Sequence, residues 1–266
     1  MKREFMVWLH LVRLSLKSGL QYRGAFILHM AGMIANYIAI FAGIWVVLRK
    51  FNELGGWTWP QMGVLLAFQL FTYALGAAFS QAQFRGLGDL IRSGNFDVTL
   101  TRPIRSWAYV IFSNVNTGYA GHFILALTLM FWALSQPGIP VRVLPLIYLF
   151  LASLSGAMVV ASIFMTLGAF SMIAVEAEFL TDLFFGFWEL TRYPLTIFPV
   201  FLQWLLVTVL PLGFFSFVPV SVFLNKGGFV LGDAALPLSL FAGPVMAAVA
   251  GSTWIACLRK YQSAGG

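Results

Sequence analysis

Apolar residues fall in seven long blocks along this chain, separated by short polar or charged stretches. Ala25 to Leu48 is uncharged throughout, and a second block runs from about Gln61 to Gln81. A third starts near Trp107 and ends near Ser135, before the turn "QPGIP", and a fourth covers about Leu144 to Val175. A fifth begins near Ala177 and meets Pro194 and Pro199, and the last covers about Ala235 to Leu258. About 20 mostly apolar residues suffice for a helix to cross about 30 Å of hydrocarbon, so each of these six predicts a transmembrane helix. The remaining block, Phe201 to Leu224, contains Pro211, Gly213 and Pro219. Proline removes a backbone donor and breaks helices, and irregular backbone survives at membrane depth only when protein shields it. The expectation there is a broken, re-entrant hairpin between the fifth and sixth spans.

Composition changes the scale of this picture, not its direction. Of 266 residues, 60% are hydrophobic and only 9% charged. A soluble domain averages about 45–50% apolar and about 25% charged residues, so the bilayer must take the surplus. The expected fold is an all-α integral membrane protein, one transmembrane domain over residues 1–266 with no nucleotide-binding domain. The net charge of +7 reads as retention of positive loops on the inner side rather than as nucleic-acid binding. With six spans, Lys2, Arg3, Arg13, Lys17, Arg23, Arg85, Arg92, Arg102, Arg105, Arg259 and Lys260 lie inside, against Arg49, Lys50, Arg142 and Lys226 outside. A seventh crossing would move Arg259 and Lys260 outside and weaken that bias. Both termini are therefore expected on the cytoplasmic side.

Before the first span, Phe5, Trp8, Leu9, Val12 and Leu16 share one helical face, and Lys2, Arg3, His10, Arg13 and Lys17 another. This predicts an in-plane amphipathic helix with its basic side on lipid headgroups. It is not a cleavable signal peptide, because its basic residues extend to Arg23 and the apolar run is too long. Trp57, Trp59, Trp107 and Tyr109 sit where interfacial anchors belong.

Candidate chemistry is sparse. The chain has no G-x-x-x-x-G-K-[ST] motif, and "GLGDLI" at Gly86 to Ile91 lacks the third glycine of a dinucleotide fingerprint. His10, His29 and His122 are scattered, and the single Cys257 excludes an internal disulfide. Glu176, Glu178 and Asp182 fit a solvated turn between the fourth and fifth spans. Glu189 and Arg192, followed by Tyr193, are three apart and share a helix face inside an apolar block. A charge at mid-span costs about 2.5–3.5 kcal/mol on insertion scales. The pair therefore either lines a pathway or sits paired near the outer interface. Asn114 and Asn116 in the third span either line the same path or link helices.

The densest charge lies in "FRGLGDLIRSGNFDVTLTRPIRSW", Phe84 to Trp107, between the second and third spans. Arg85, Asp89 and Arg92 follow i, i+4, i+7 spacing, and Phe84, Leu87 and Ile91 occupy another face. Gly94 and Asn95 allow a reversal, and Pro103 fixes a turn before the third span. Such an amphipathic peg either packs on its own bundle or docks into a soluble partner.

With "LIRSG" at Leu90–Gly94, then Phe96, Asp97, Leu100, Arg102 and Pro103, the loop resembles that of type-2 ABC exporter membrane subunits, in a bacterial branch. The proline spacing of "RYPLTIFPVFLQWLLVTVLPLGFFSFVPVSVFL" is similar to the same branch. The resemblance spans nearly the whole chain. It implies a permease of a bacterial cytoplasmic membrane that pairs with a second permease, identical or related, and with two separate ATPase subunits. This chain would bind no cofactor, ATP–Mg residing on the partner, and no nucleic acid. The loop would be the coupling helix, with Phe84, Arg85, Leu87, Asp89, Leu90, Arg92, Gly94, Asp97, Arg102 and Pro103 as its ATPase-coupling residues. The other class open to a chain of this build is an ion-coupled secondary transporter or lipid scramblase working without an ATPase. A coupled carrier usually places broken helices in both halves, and only one is visible here.

Overall fold

The computed structural model describes residues 23–113, 115–174, 178–227 and 229–263. The amphipathic segment expected before Arg23, as well as Asn114 and Glu176, lies outside the described residues. Among those described, the protein is all-helical, with one isolated bridge between Leu54 and Trp57 closing a turn. Four helical stretches among the described residues are long and apolar enough to cross a membrane: 26–51, 117–134, 143–170 and 232–260. They fall in helices α1 (Arg23–Phe51), α7 (Ala120–Leu134, entered through a 3-10 turn), α8 (Val143–Phe170) and α12 (Ala235–Lys260).

Helix α2 (Trp59–Ala77) is the hub. Its first turn is fixed by Pro60 and by the Gln61 side chain, whose Oε1 accepts from the Thr58 N–H at 3.2 Å. Met62, Val64, Leu65, Leu66, Phe68 and Leu70 are all at most 1% exposed. Because α7 and α8 cover it, α2 need not be apolar all round, and it carries two buried polar side chains. Gln69 Nε2 donates to Thr191 Oγ1 at 2.6 Å, and Thr72 Oγ1 lies 2.6 Å from the Phe215 carbonyl oxygen. At about 1.5 Å per residue, its 19 residues reach about 28 Å.

Close backbone approach holds α8 in the middle of the bundle. Lipid offers no hydrophobic drive for helices to associate, so small residues that admit near contact carry the packing. The Gly243 N–H on α12 donates to Ser155 Oγ at 2.9 Å, where any Cβ would strike the α8 backbone. A Cβ on Gly76 of α2 would lie 2.5 Å from the Ala157 carbonyl oxygen. Tyr148 and Ser239 hydroxyls, 2.7 Å apart, add a polar tie between α8 and α12.

Two expected spans are not single helices. The third block is cut into α6 (Ser106–Ser113) and α7 by a turn with a 3-10 segment at Thr117–Tyr119. Asn116 builds that turn: its Oδ1 accepts from Gly118 N at 2.9 Å and its own N–H donates to the Ala78 carbonyl at 3.0 Å. The fifth block gives α9 (Glu178–Leu190), only 13 residues, before the chain breaks at Thr191–Pro194. Thirteen helical residues rise about 20 Å, short of a hydrocarbon thickness by themselves.

After α9 the backbone runs through short pieces. A 3-10 turn at Leu195–Ile197 leads to α10 (Val200–Trp204), then a π-helical turn at Leu205–Val209 and a 3-10 turn at Leu212–Phe215. Helix α11 (Phe217–Phe223) completes the segment. It starts and finishes at one end of the bundle: Ile197 sits against Gly55, and Lys226 Nζ donates to the Gly56 carbonyl at 2.6 Å. Between these points it dives to α8, where Phe215 packs on Gly156.

Candidate functional site

The opposite end of the bundle carries the charged loop. It folds as three short helices, α3 (Gln81–Arg85), α4 (Leu87–Arg92) and α5 (Asn95–Leu100). The break at Gly86 divides what the spacing reads as one helix. Gly94 takes the left-handed conformation, φ 72°, with open space where a Cβ would be, and reverses the chain between α4 and α5.

The two faces of the loop have different surroundings. Phe84, Leu87 and Phe96 are at most 1% exposed, and Ile91 is buried. Phe84 packs into the notch left by Gly168 of α8 and meets Trp254 of α12 edge-on, ring centroids 5.7 Å apart. Phe84 and Leu87 therefore seat the loop on its own bundle. The exposed edge is polar. Arg92 Nη2 bonds Asp89 Oδ1 at 2.5 Å, and Arg85 lies 3.8 Å from Asp182 of α9, both side chains well solvated. Exposed ion pairs of this kind contribute at most about 1 kcal/mol. Pro103 is exposed in the turn after α5. Leu90, Gln83, Asn95, Val98 and Thr99 line a cavity of about 450 Å³ closed on one side by Arg102, whose guanidinium stacks 4.5 Å from the Tyr109 ring.

Asp97 behaves differently from Asp89. Its Oδ1 accepts from Tyr261 Oη at 3.0 Å and its Oδ2 from Ser263 Oγ at 2.6 Å, both just beyond the end of α12. Burial and then the neighbouring carboxylate push the Tyr261 phenol above its ordinary value.

Glu189 and Arg192 lie near the hairpin end of α9. Their ion pair is real, with Arg192 Nη2 to Glu189 Oε1 at 2.7 Å. The Arg192 side chain is only 12% exposed and Glu189 53%. The guanidinium also lies 4.7 Å from the Trp188 ring, and Arg192 and Tyr193 line a cavity of about 420 Å³ against Ile40, Gly43 and Val47 of α1.

Trp188 links this pair to a cluster that the sequence does not announce. Its ring is 5.1 Å from Tyr73, which contacts Tyr119 at 5.8 Å with the hydroxyls 3.3 Å apart. Tyr119 Oη reaches Gln81 Oε1 at 3.4 Å, at the root of the loop. His122 completes the group, edge-on to Tyr37 at 5.4 Å and tilted against Tyr119 at 5.0 Å. These residues come from α1, α2, α3, α7, α9 and the broken turn, so no local spacing reveals them.

Compared with known proteins, the chain matches the sequence model of one family, described as ABC-2 family transporter protein, over residues 34–265. No curated protein matches it.

Proposed function

The chain belongs to the ABC-2 transporter family, and from that premise we propose that it is the membrane-spanning half of an ATP-driven exporter whose ATPase is a separate polypeptide. The observation that carries this reading is the loop of α3 to α5. Its apolar face is spent on the bundle, while Arg85, Asp89, Arg92, Arg102 and Arg105 stand on an exposed edge. A rigidly seated element with a solvated charged edge suits receiving a push from a soluble subunit, since charge complementarity fixes register and speeds encounter. The absence of a P-loop from the sequence fits the division of labour, with ATP hydrolysis assigned to the partner.

The placement in a bacterial cytoplasmic membrane rests on the resemblance of the loop to a bacterial branch of the family, and charge supports its orientation there. Putting the loop, Arg259 and Lys260 inside satisfies the positive-inside bias. Six crossings follow if α2 and the α9 segment cross beside the four long stretches, and residues 195–226 then enter and leave from the outer side as a re-entrant hairpin. The Glu189–Arg192 pair and Tyr193, at the α1 side of that hairpin, would border the pathway between two permease copies.

Co-purification tests the reading. Gentle extraction of the chain brings down an ATPase, and charge reversal at both Asp89 and Arg92 releases it without unfolding the permease. Full transport in liposomes lacking any ATPase would sink the proposal and favour a self-sufficient carrier.

A further inference from the structure

The loop is attached to the last long helix more firmly than chain order implies. Phe96 is fully buried, edge-on to Tyr261 at 5.2 Å and to Trp254 at 6.2 Å. Trp254 is itself 1% exposed; its Nε1 donates to Ser106 Oγ at 3.1 Å, and its ring also meets Phe84. Trp254 on α12 and Tyr261 just past its end thus meet the same ring of the loop. The next residue, Asp97, takes two hydroxyl donors, one on each carboxylate oxygen, from residues 164 and 166 positions away. Hydrogen bonds to an ionised carboxylate are among the stronger kind, and two on one group fix its orientation. A carboxylate in the first turn of α5 already suits that helix's dipole, so Asp97 serves the loop and α12 together. Asp89, the loop's other acid, is exposed and pairs within its own helix.

We infer that Asp97 and Tyr261 are positioning residues that bind the loop to the end of α12, so that a push on the loop moves the last long helix and not only the two segments that flank the loop in sequence. The inference rests on the loop being the ATPase-facing element. Helix α12 is in backbone contact with α8 and packs against α11 of the hairpin, so motion delivered to its loop end reaches the opposite end of the bundle.

The test uses the full permease with its co-purified ATPase in lipid nanodiscs, on a Cys257→Ser background. Spin labels at Asn95 and Lys260, both exposed and outside the latch, report the loop-to-helix distance. A second pair at Asn95 and Leu236 reports the far end of α12. The loop-to-helix distance is expected to be narrow and the same with and without ATP and vanadate. In Asp97→Ala/Tyr261→Phe that distance broadens, and stimulation by the permease, measured per ATPase still bound, falls about fivefold or more. Asp97→Glu, which keeps an acceptor, restores much of the stimulation, a rescue that loss of folding would not show. Tyr261→Phe alone keeps the ring on Phe96 and carries the test if the double variant does not fold. A wild-type loop-to-helix distance that changes with nucleotide overturns the inference, as does undiminished stimulation in the folded variants. Failure of the wild-type chain to bring down any ATPase overturns the functional reading and this inference with it, and co-purification registers that before any distance is measured.

Discussion

The loop of residues 81–105 and the hairpin of residues 195–226 are built alike and survive for different reasons. Both are strings of short helical pieces joined by turns, so both leave backbone groups that a continuous helix would satisfy. The loop holds six charged residues and has water along one edge. The hairpin has a single charged residue, Lys226 at its end, and buries Leu206, Leu212, Phe215 and Phe217 almost completely. Around residues 211–221 its irregular backbone is enclosed by α2 and α8, where Thr72 answers the Phe215 carbonyl and Gly156 makes room for the chain itself. Broken structure in a membrane protein thus needs either solvent or a fitted wall of protein. Damage should follow the same division: severe where the wall is fitted, slight where water can adjust.

The largest effect is expected at that wall. A Cβ on Gly156 would stand 3.0 Å from Phe215 Cα and 3.3 Å from the Phe214 carbonyl oxygen, both backbone atoms with no rotamer to yield. Gly156→Leu should therefore cost about 3 kcal/mol or more, the upper range of overpacking, and lower the apparent Tm of the detergent-purified protein. Gly94, its counterpart in the loop, has a strained φ of 72° but open space, so its limit is the roughly 1–2 kcal/mol of left-handed strain. If Gly156→Leu melted like wild type, the hairpin would be resting loosely and the comparison would fail.

A smaller effect follows from removing one hydroxyl. Thr72→Val keeps the volume but takes away the group 2.6 Å from the Phe215 carbonyl. A buried acceptor left without its donor costs about 1–3 kcal/mol. The expected result is an intermediate loss of thermal stability, with the association of the ATPase unchanged at 4 °C. A loss as large as that of Gly156→Leu would mean that polar satisfaction, not shape, seats the hairpin.

The same division explains what could be read from the sequence. The long apolar helices were legible because lipid sets only a length and a composition, and Ala25–Leu48 or Leu144–Val175 meet both. That the segment is broken was legible from Pro211, Gly213 and Pro219, but its seat was not, since Thr72 and Gly156 come from other helices. The break at Asn116 was hidden because its turn is completed by the Ala78 carbonyl, on the far side of the loop. In the loop, spacing separates Arg85, Asp89 and Arg92 from Phe84, Leu87 and Ile91. Periodicity cannot say what covers the apolar face, and α8 and α12 cover it. The two acids of the loop look equivalent in the sequence, yet only Asp97 has partners across 164 positions. The aromatic file from Arg192 to Gln81 is likewise a product of separate elements meeting.

The smallest stability effect is expected at the solvated edge, where it separates folding from function most cleanly. Arg85 and Asp182 are 3.8 Å apart with side chains 46% and 73% exposed, so water already screens them. Arg85→Ala should change thermal stability by no more than about 0.5 kcal/mol. If the edge is where the ATPase binds, the same substitution reduces ATPase recovery in co-purification, most at low salt and less as salt rises, because exposed charge pairs are screened over roughly 10 Å at 0.1 M ionic strength. The informative quantity is the ratio of the two effects. A variant that loses ATPase but not stability marks the edge as a contact surface. A variant that loses stability as Thr72→Val does would make Arg85 part of the fitted wall, and the loop and hairpin would then be one kind of structure rather than two.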